Sequence, residues 1–189
     1  MAFVDIIEKV RNQYLSNYSD AIESYKQRHD DITTELLLEV PSDESDKLYR
    51  LYRIDITYES QLVDINTDTY LNFEPFEVTI DDELSIQVHP FYWNALEIYG
   101  ALDLDKLSEF RQWANKWIDP DDQKETDEDG FSGVIHGVTR PEKQGNLWMT
   151  SIDLGTAKIK CVWDLLKILK DAGLNEVKVS SFSMLEDEG

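Results

Sequence analysis

Residues 146–182, NLWMTSIDLGTAKIKCVWDLLKILKDAGLNEVKVSSF, read as strand, tight turn, helix and strand. Leu147, Met149 and Ser151 alternate with Trp148, Thr150 and Ile152, the two-residue period of an extended chain. Gly155 ends that strand, and Thr156 is placed to cap the helix that follows. Ile159, Val162, Trp163, Leu166 and Leu169 recur every three or four residues and give the helix one apolar face. Gly173 suits the left-handed position that stops a helix, with Leu174 folding back on its end. From Glu176, Val177 and Val179 alternate against Lys178 and Ser180. A C-terminal β-α-β unit is therefore expected, with the rest of the chain packed around it.

Working outward, the chain opens with a long amphipathic helix from Phe3 to about Arg28. Val4, Ile7, Val10, Tyr14, Tyr18, Ile22 and Tyr25 share one face. Three tyrosines on that face predict a helix across the rim of a sheet with its hydroxyls reaching water. Ile32 to Val40 and Leu48 to Tyr58 alternate as half-buried strands on either side of a turn at Pro41 to Asp46. Shorter strands are expected at Gln61 to Ile65, Phe76 to Ile80 and Leu84 to His89. The connections are short, so an antiparallel meander is the economical topology. Pro90 suits the first turn of a helix running to Tyr99 and stopped by Gly100. A second helix, capped by Asp103 or Asp105, carries Leu107, Phe110, Trp113, Ala114 and Trp117 and ends at Ile118-Asp119-Pro120. Phe131 to Thr139 and Asn146 to Leu154 bracket a turn at Pro141 to Gly145 and read as a hairpin. The fold class is α+β in one domain: a mainly antiparallel sheet flanked by helices.

Charge is the strongest global feature. The 189 residues hold 39 acidic and 18 basic side chains, a net charge of −21. Residues 140–180 carry seven basic and five acidic groups, so the remainder holds −23. Such a field repels nucleic acid and anionic membranes and speeds association with a basic partner. Asp119 to Gly130, DPDDQKETDEDG, concentrates seven acids against one lysine. Asp119, Asp121, Asp122, Glu125, Asp127, Glu128 and Asp129 form the expected acidic docking surface, with Tyr92 and Trp93 as candidate aromatic anchors.

No catalytic or metal-ligating constellation stands out. His29, His89 and His136 lack metal-ligand spacing, and Cys161 lies on an apolar helix face as a core thiol. Glu125, Asp127, Asp129 and Gly130 match the first, third, fifth and sixth positions of a calcium loop, but the twelfth falls on His136 rather than glutamate. Gly155-Thr156-Ala157-Lys158 lacks the glycine spacing of a phosphate loop. Lys158 and Lys160 oppose the helix dipole and are expected to pair with carboxylates. No cofactor or metal is expected. No signal peptide and no ~18-residue apolar run occurs, which points to a cytoplasmic protein.

Ile152-Asp153-Leu154-Gly155-Thr156-Ala157, then Trp163 to Gly173 with its leucine-rich helix ending Ala-Gly, then Val177-Lys178-Val179, resembles the C-terminal signature of small acidic immunity proteins. These are encoded beside bacterial polymorphic and contact-dependent toxins. The resemblance covers about a quarter of the chain. It implies a cytoplasmic, non-enzymatic protein that binds a cognate protein toxin and blocks it, with no direct contact to nucleic acid or membrane. The charge favours a basic toxin such as a nuclease. Two other readings stay open: a small-ligand binding or hydrolytic domain with a pocket lined by Trp93, Tyr99 and Trp113, and a nucleic-acid mimic with phosphate-like carboxylate spacing.

Overall fold

The computed structural model describes residues 3–40, 47–66, 70–127 and 130–181. The turn expected at Pro41 to Asp46 lies outside them. Among the described residues ten strands form one sheet, ordered β1-β2-β7-β9-β6-β10-β5-β4, with β3 pairing β2 and β8 pairing β9. The strands are β1 (Thr33–Glu39), β2 (Lys47–Tyr58), β3 (Gln61–Val63), β4 (Phe76–Ile80), β5 (Leu84–Val88), β6 (Leu96–Gly100), β7 (Gly137–Thr139), β8 (Glu142–Gln144), β9 (Leu147–Asp153) and β10 (Glu176–Ser180). Among the described residues three α-helices accompany them: α1 (Phe3–Lys26), α2 (Ser108–Ile118) and α3 (Lys160–Asp171). The fold is α+β, and every strand pair is antiparallel except β10 with β5.

The C-terminal unit forms, with two refinements. Strands β9 and β10 are not neighbours: β6 lies between them, antiparallel to both. The predicted cap does not form either. Helix α3 starts at Lys160 without a side-chain cap, and Thr156 is fully buried in another role. Gly173 does adopt a positive φ of 84° past the helix end, and Leu174 N–H closes on Leu169 O at 3.2 Å.

The meander is replaced by an interleaved sheet. The β4–β5 hairpin forms, turning through Asp81 and Asp82 in left-handed conformations that aspartate tolerates. It joins the sheet through β10, at the end opposite β1 and β2. The helix predicted from Pro90 to Tyr99 is instead a single turn, Trp93–Ala95, followed by strand β6. Both faces of Leu96-Glu97-Ile98-Tyr99-Gly100 are buried, so no alternation of apolar and polar residues announces a strand. Asp103 caps only a short turn, Leu104–Lys106, by accepting Asp105 N–H at 3.2 Å, and α2 begins after it. Phe131 to His136 has no strand structure; the hairpin partner of β9 is limited to β7 and β8.

Helix α1 crosses the sheet rather than lining its rim. At its start Phe3 packs edge-on to Trp163 of α3 and to Phe76 of β4, at 5.6 and 6.4 Å between ring centroids. At its far end Tyr25 meets Tyr58 of β2. Phe3 and Ile7, with Val162, Leu165 and Leu166 of α3 and Leu96, Ile98 and Val179 of the sheet, line one apolar seam. Each such buried side chain contributes roughly 1.5–3 kcal/mol of burial free energy. Tyr14 and Tyr18 do not reach water: both are buried, and Tyr18 Oη donates to Asp55 O at 3.3 Å. The row Glu77, Gln87, Lys178, Tyr99 and Met149 crosses five strands on the opposite, polar face.

Candidate functional site

The acidic loop follows α2, which Asp119 closes in a left-handed conformation with φ of 57°. It is built around Arg53 of β2, a buried guanidinium 4% exposed. Arg53 Nε donates to Ile118 O at 2.9 Å, Nη1 to Glu35 O and to Asp122 Oδ1, both at 2.8 Å, and Nη2 to Asp119 O at 2.8 Å. Asp119 Oδ2 also accepts Lys124 N–H at 2.8 Å. Asp127 accepts Phe131 N–H and lies 3.6 Å from Lys158 Nζ, so this lysine does meet a carboxylate. Lys160 likewise pairs with Asp164. Asp119, Asp122 and Asp127 are thus engaged by the protein's own cations. Asp121, Asp122 and Glu125 are exposed, Asp122 while paired with Arg53. Glu128 and Asp129 lie outside the described residues.

One consequence can be measured. Replacing Arg53 by methionine leaves three carbonyls and a carboxylate without their donor, and should lower stability by about 3 kcal/mol. Amide exchange in residues 119–127 should accelerate with it. Lysine should not rescue the loss, because a single ammonium cannot reproduce the fork. Wild-type exchange in the variant's loop would show that something else holds it.

The candidate anchors separate. Trp93 is 1% exposed, and its Nε1 donates to Gly155 O at 2.8 Å, so it is a core residue. Tyr92 is half-buried, its ring edge-on to Tyr70 at 5.3 Å. Trp113 is also core, donating from Nε1 to Cys161 O at 2.9 Å. Trp93, Tyr99 and Trp113 therefore do not line a common pocket. Tyr99 instead borders a shallow crevice of about 410 Å³ with Leu102, Leu147, Leu174 and Lys178.

The most concentrated chemistry is a buried clasp that local spacing does not reveal. His136 Nε2 lies 3.1 Å from Glu35 Oε1, and its Nδ1 lies 2.8 Å from Asp55 Oδ1. The second contact is a close approach of charges rather than an aligned hydrogen bond. Glu35 also accepts the Thr156 hydroxyl and Ser132 N–H, and Asp55 accepts Ile65 N–H. Glu35 can point inward because its φ of 55° breaks the regular strand. Burial alone would discharge the imidazole, but the Asp55 and Glu35 carboxylates hold its pKa up at about 10. Burial likewise opposes ionisation of Glu35, yet His136, Thr156 and Ser132 hold its pKa down to about 2. The Asp153 carboxyl beside them is pushed up to about 6, by burial first and then by the Asp55 charge.

The clasp is sealed. His136 and Glu35 side chains are 1% and 3% exposed, and none of the surface hollows described is lined by either residue. Residues of the Ile152–Ala157 turn pack on it and beside it. Gly155 lies against the imidazole, Thr156 binds Glu35, and the carbonyls of Thr156 and Ala157 accept Arg11 of α1. This segment is therefore a packing hub. Burial also keeps the Cys161 thiol protonated by pushing its pKa up. Of the calcium-spaced positions, Asp127 is held by Lys158 and the twelfth, His136, lies in the clasp; Asp129 lies outside the described residues.

A second acidic region emerges once the strands are placed. Between Arg53 and Lys106, residues 54–105 contain twelve Asp or Glu and no Lys or Arg. That run was the sequence signal for it. Within this region Glu74, Glu77, Asp81, Asp82 and Glu83 are exposed on and beside the β4–β5 hairpin. Among the described residues no helix is long and apolar enough to cross a membrane. No protein-family model, no curated protein and no solved structure matches the chain.

Proposed function

We propose that this protein is a cytoplasmic immunity protein that neutralises a basic bacterial toxin domain by binding it. The observation that carries the reading is the segregation of charge. A chain with net charge −21 concentrates twelve acids and no base in 52 consecutive residues, and sets five of them outward on one hairpin. Such a field accelerates capture of a basic protein, with association up to ~10⁹ M⁻¹s⁻¹ at low salt. The resemblance of residues 152–179 to immunity proteins supports the same reading. The sealed clasp is compatible with it, since a binder needs a rigid frame rather than an open catalytic group.

The test is a binding titration against the C-terminal domain of the protein encoded immediately upstream, at low and high salt. Nanomolar affinity that weakens with salt is expected. Absence of binding would overturn the immunity reading, and salt-independent binding would remove charge from the mechanism.

A further inference from the structure

We propose that the outer edge of β4 is the docking site, and that its occupant is an extended basic segment of the partner that adds to the sheet as an eleventh strand. This rests on the immunity reading and assigns its surface.

Strand β4 ends the sheet, and among the described residues no strand pairs with its outer side. Every second residue of an antiparallel edge strand turns its N–H and C=O outward, so the edge offers main-chain pairing to an incoming segment. Its two faces differ in chemistry. Glu77 and Thr79 are exposed on the polar face of the sheet, while Phe76, Val78 and Ile80 are half-buried against the core. Glu74 precedes the strand and Asp81, Asp82 and Glu83 follow it, all exposed. Lys170 offsets part of this charge, 2.7 Å from Asp81 and 3.7 Å from Glu83.

The occupant's pattern follows from these faces. A strand laid beside β4 places alternate residues next to Glu77 and Thr79, where lysine or arginine is favoured. The intervening residues continue the apolar row of Phe76, Val78 and Ile80, where valine, isoleucine or an aromatic is favoured. A second copy of this chain is disfavoured, because pairing β4 with itself sets the same carboxylates against each other. The competing surfaces are less available. Glu39 on the β1 edge pairs with Arg50, and the 119–127 loop carries its exposed acids on no strand edge that an extended segment could join.

Charged edges also guard sheets against self-association, and the experiment separates the two roles. Hydrogen exchange would be followed on the full chain, alone and with the upstream-encoded toxin domain. Binding kinetics would be compared for the wild type and the triple variant Glu74→Gln, Glu77→Gln, Asp82→Asn. Protection of the 76–80 amides in the complex, and an association rate lowered by about tenfold in the variant, are expected. Tight binding with protection elsewhere would overturn this surface and leave the immunity reading standing. A variant that binds as before but self-associates would reduce the acids to guards and also overturn it. A toxin domain that does not bind the wild type would overturn both.

Discussion

Alanine at Gly155 is expected to lower stability by more than about 3 kcal/mol, a large fraction of what a domain of this size typically has. A Cβ there would stand 2.2 Å from His136 Cδ2 and 2.5 Å from Nε2. The ring has little freedom to retreat, because Glu35 and Asp55 hold it from both sides. The φ of 48° adds about 1–2 kcal/mol of left-handed strain for any residue with a Cβ. Gly173 is the control. Its φ is 84°, yet nothing lies within 4 Å of an added Cβ, so alanine there should cost only that strain. Urea unfolding of both variants decides the matter. Equal losses would mean that contact with the imidazole is not what makes position 155 special.

The second large effect is that of His136→Gln, which leaves two buried carboxylates without their cation and should cost about 3–5 kcal/mol. Its signature is in the pH dependence. The folded pKa of about 10 lies above the ordinary 6.5, so the folded state holds this proton more tightly than the unfolded chain. The stabilisation is therefore complete below pH ~6.5 and is lost as pH rises towards 10, at up to about 1.4 kcal/mol per unit. Glu35, with its pKa lowered to about 2, adds stability above pH ~4.5 that is lost on acidification towards 2. Asp153, raised to about 6, loses stability between pH ~4 and 6 as it ionises. Self-repulsion among 39 acids falls on mild acidification and acts in the same direction. Maximum stability is thus expected on the acid side of neutrality. Denaturation midpoints across pH 4 to 10 should decline steadily above 6.5 in the wild type and be nearly flat there in the glutamine variant. Parallel profiles would remove His136 as the titrating group.

Much of this architecture is legible in the residues, wherever one face is wet and the other dry. Helices α1 and α3 and strands β1, β2, β4, β5, β9 and β10 announce themselves by period because each has a solvent side. Strand β6 does not, since all five of its residues are buried and Pro90 upstream imitates a helix start. The strand order is equally hidden: β10 pairs with residues about ninety positions away, and nothing local encodes that choice. The clasp shows the same limit. Glu35 sits in the polar phase of β1 and reads as solvent-facing, while its partner His136 is 101 residues distant. Thr156 and Gly155 look like helix-cap residues until the imidazole beside them is seen. The acidic loop is visible as composition, but the pairing of Asp119 and Asp122 with Arg53 is not, because Arg53 approaches from another strand. The charge-free-of-bases run from 54 to 105 was plain in the sequence and becomes meaningful only once β4 is known to end the sheet.

The placement of β10 also sets a timetable. Strands β5 and β6 leave the ribosome as near neighbours, yet the strand that must slide between them begins at residue 176, 76 positions after β6 ends at residue 100. At 5–20 residues per second that is a wait of roughly 4–15 seconds. During it the β4–β5 hairpin has no attachment to the sheet, and a lone hairpin is marginal in water. When β10 arrives, His89 N–H closes on Val179 O, and the Ser181 hydroxyl joins Tyr92 N–H to Ala95 O. A nascent chain would consequently carry the acids of the hairpin without the strand edge they decorate, and only the finished molecule would present both together.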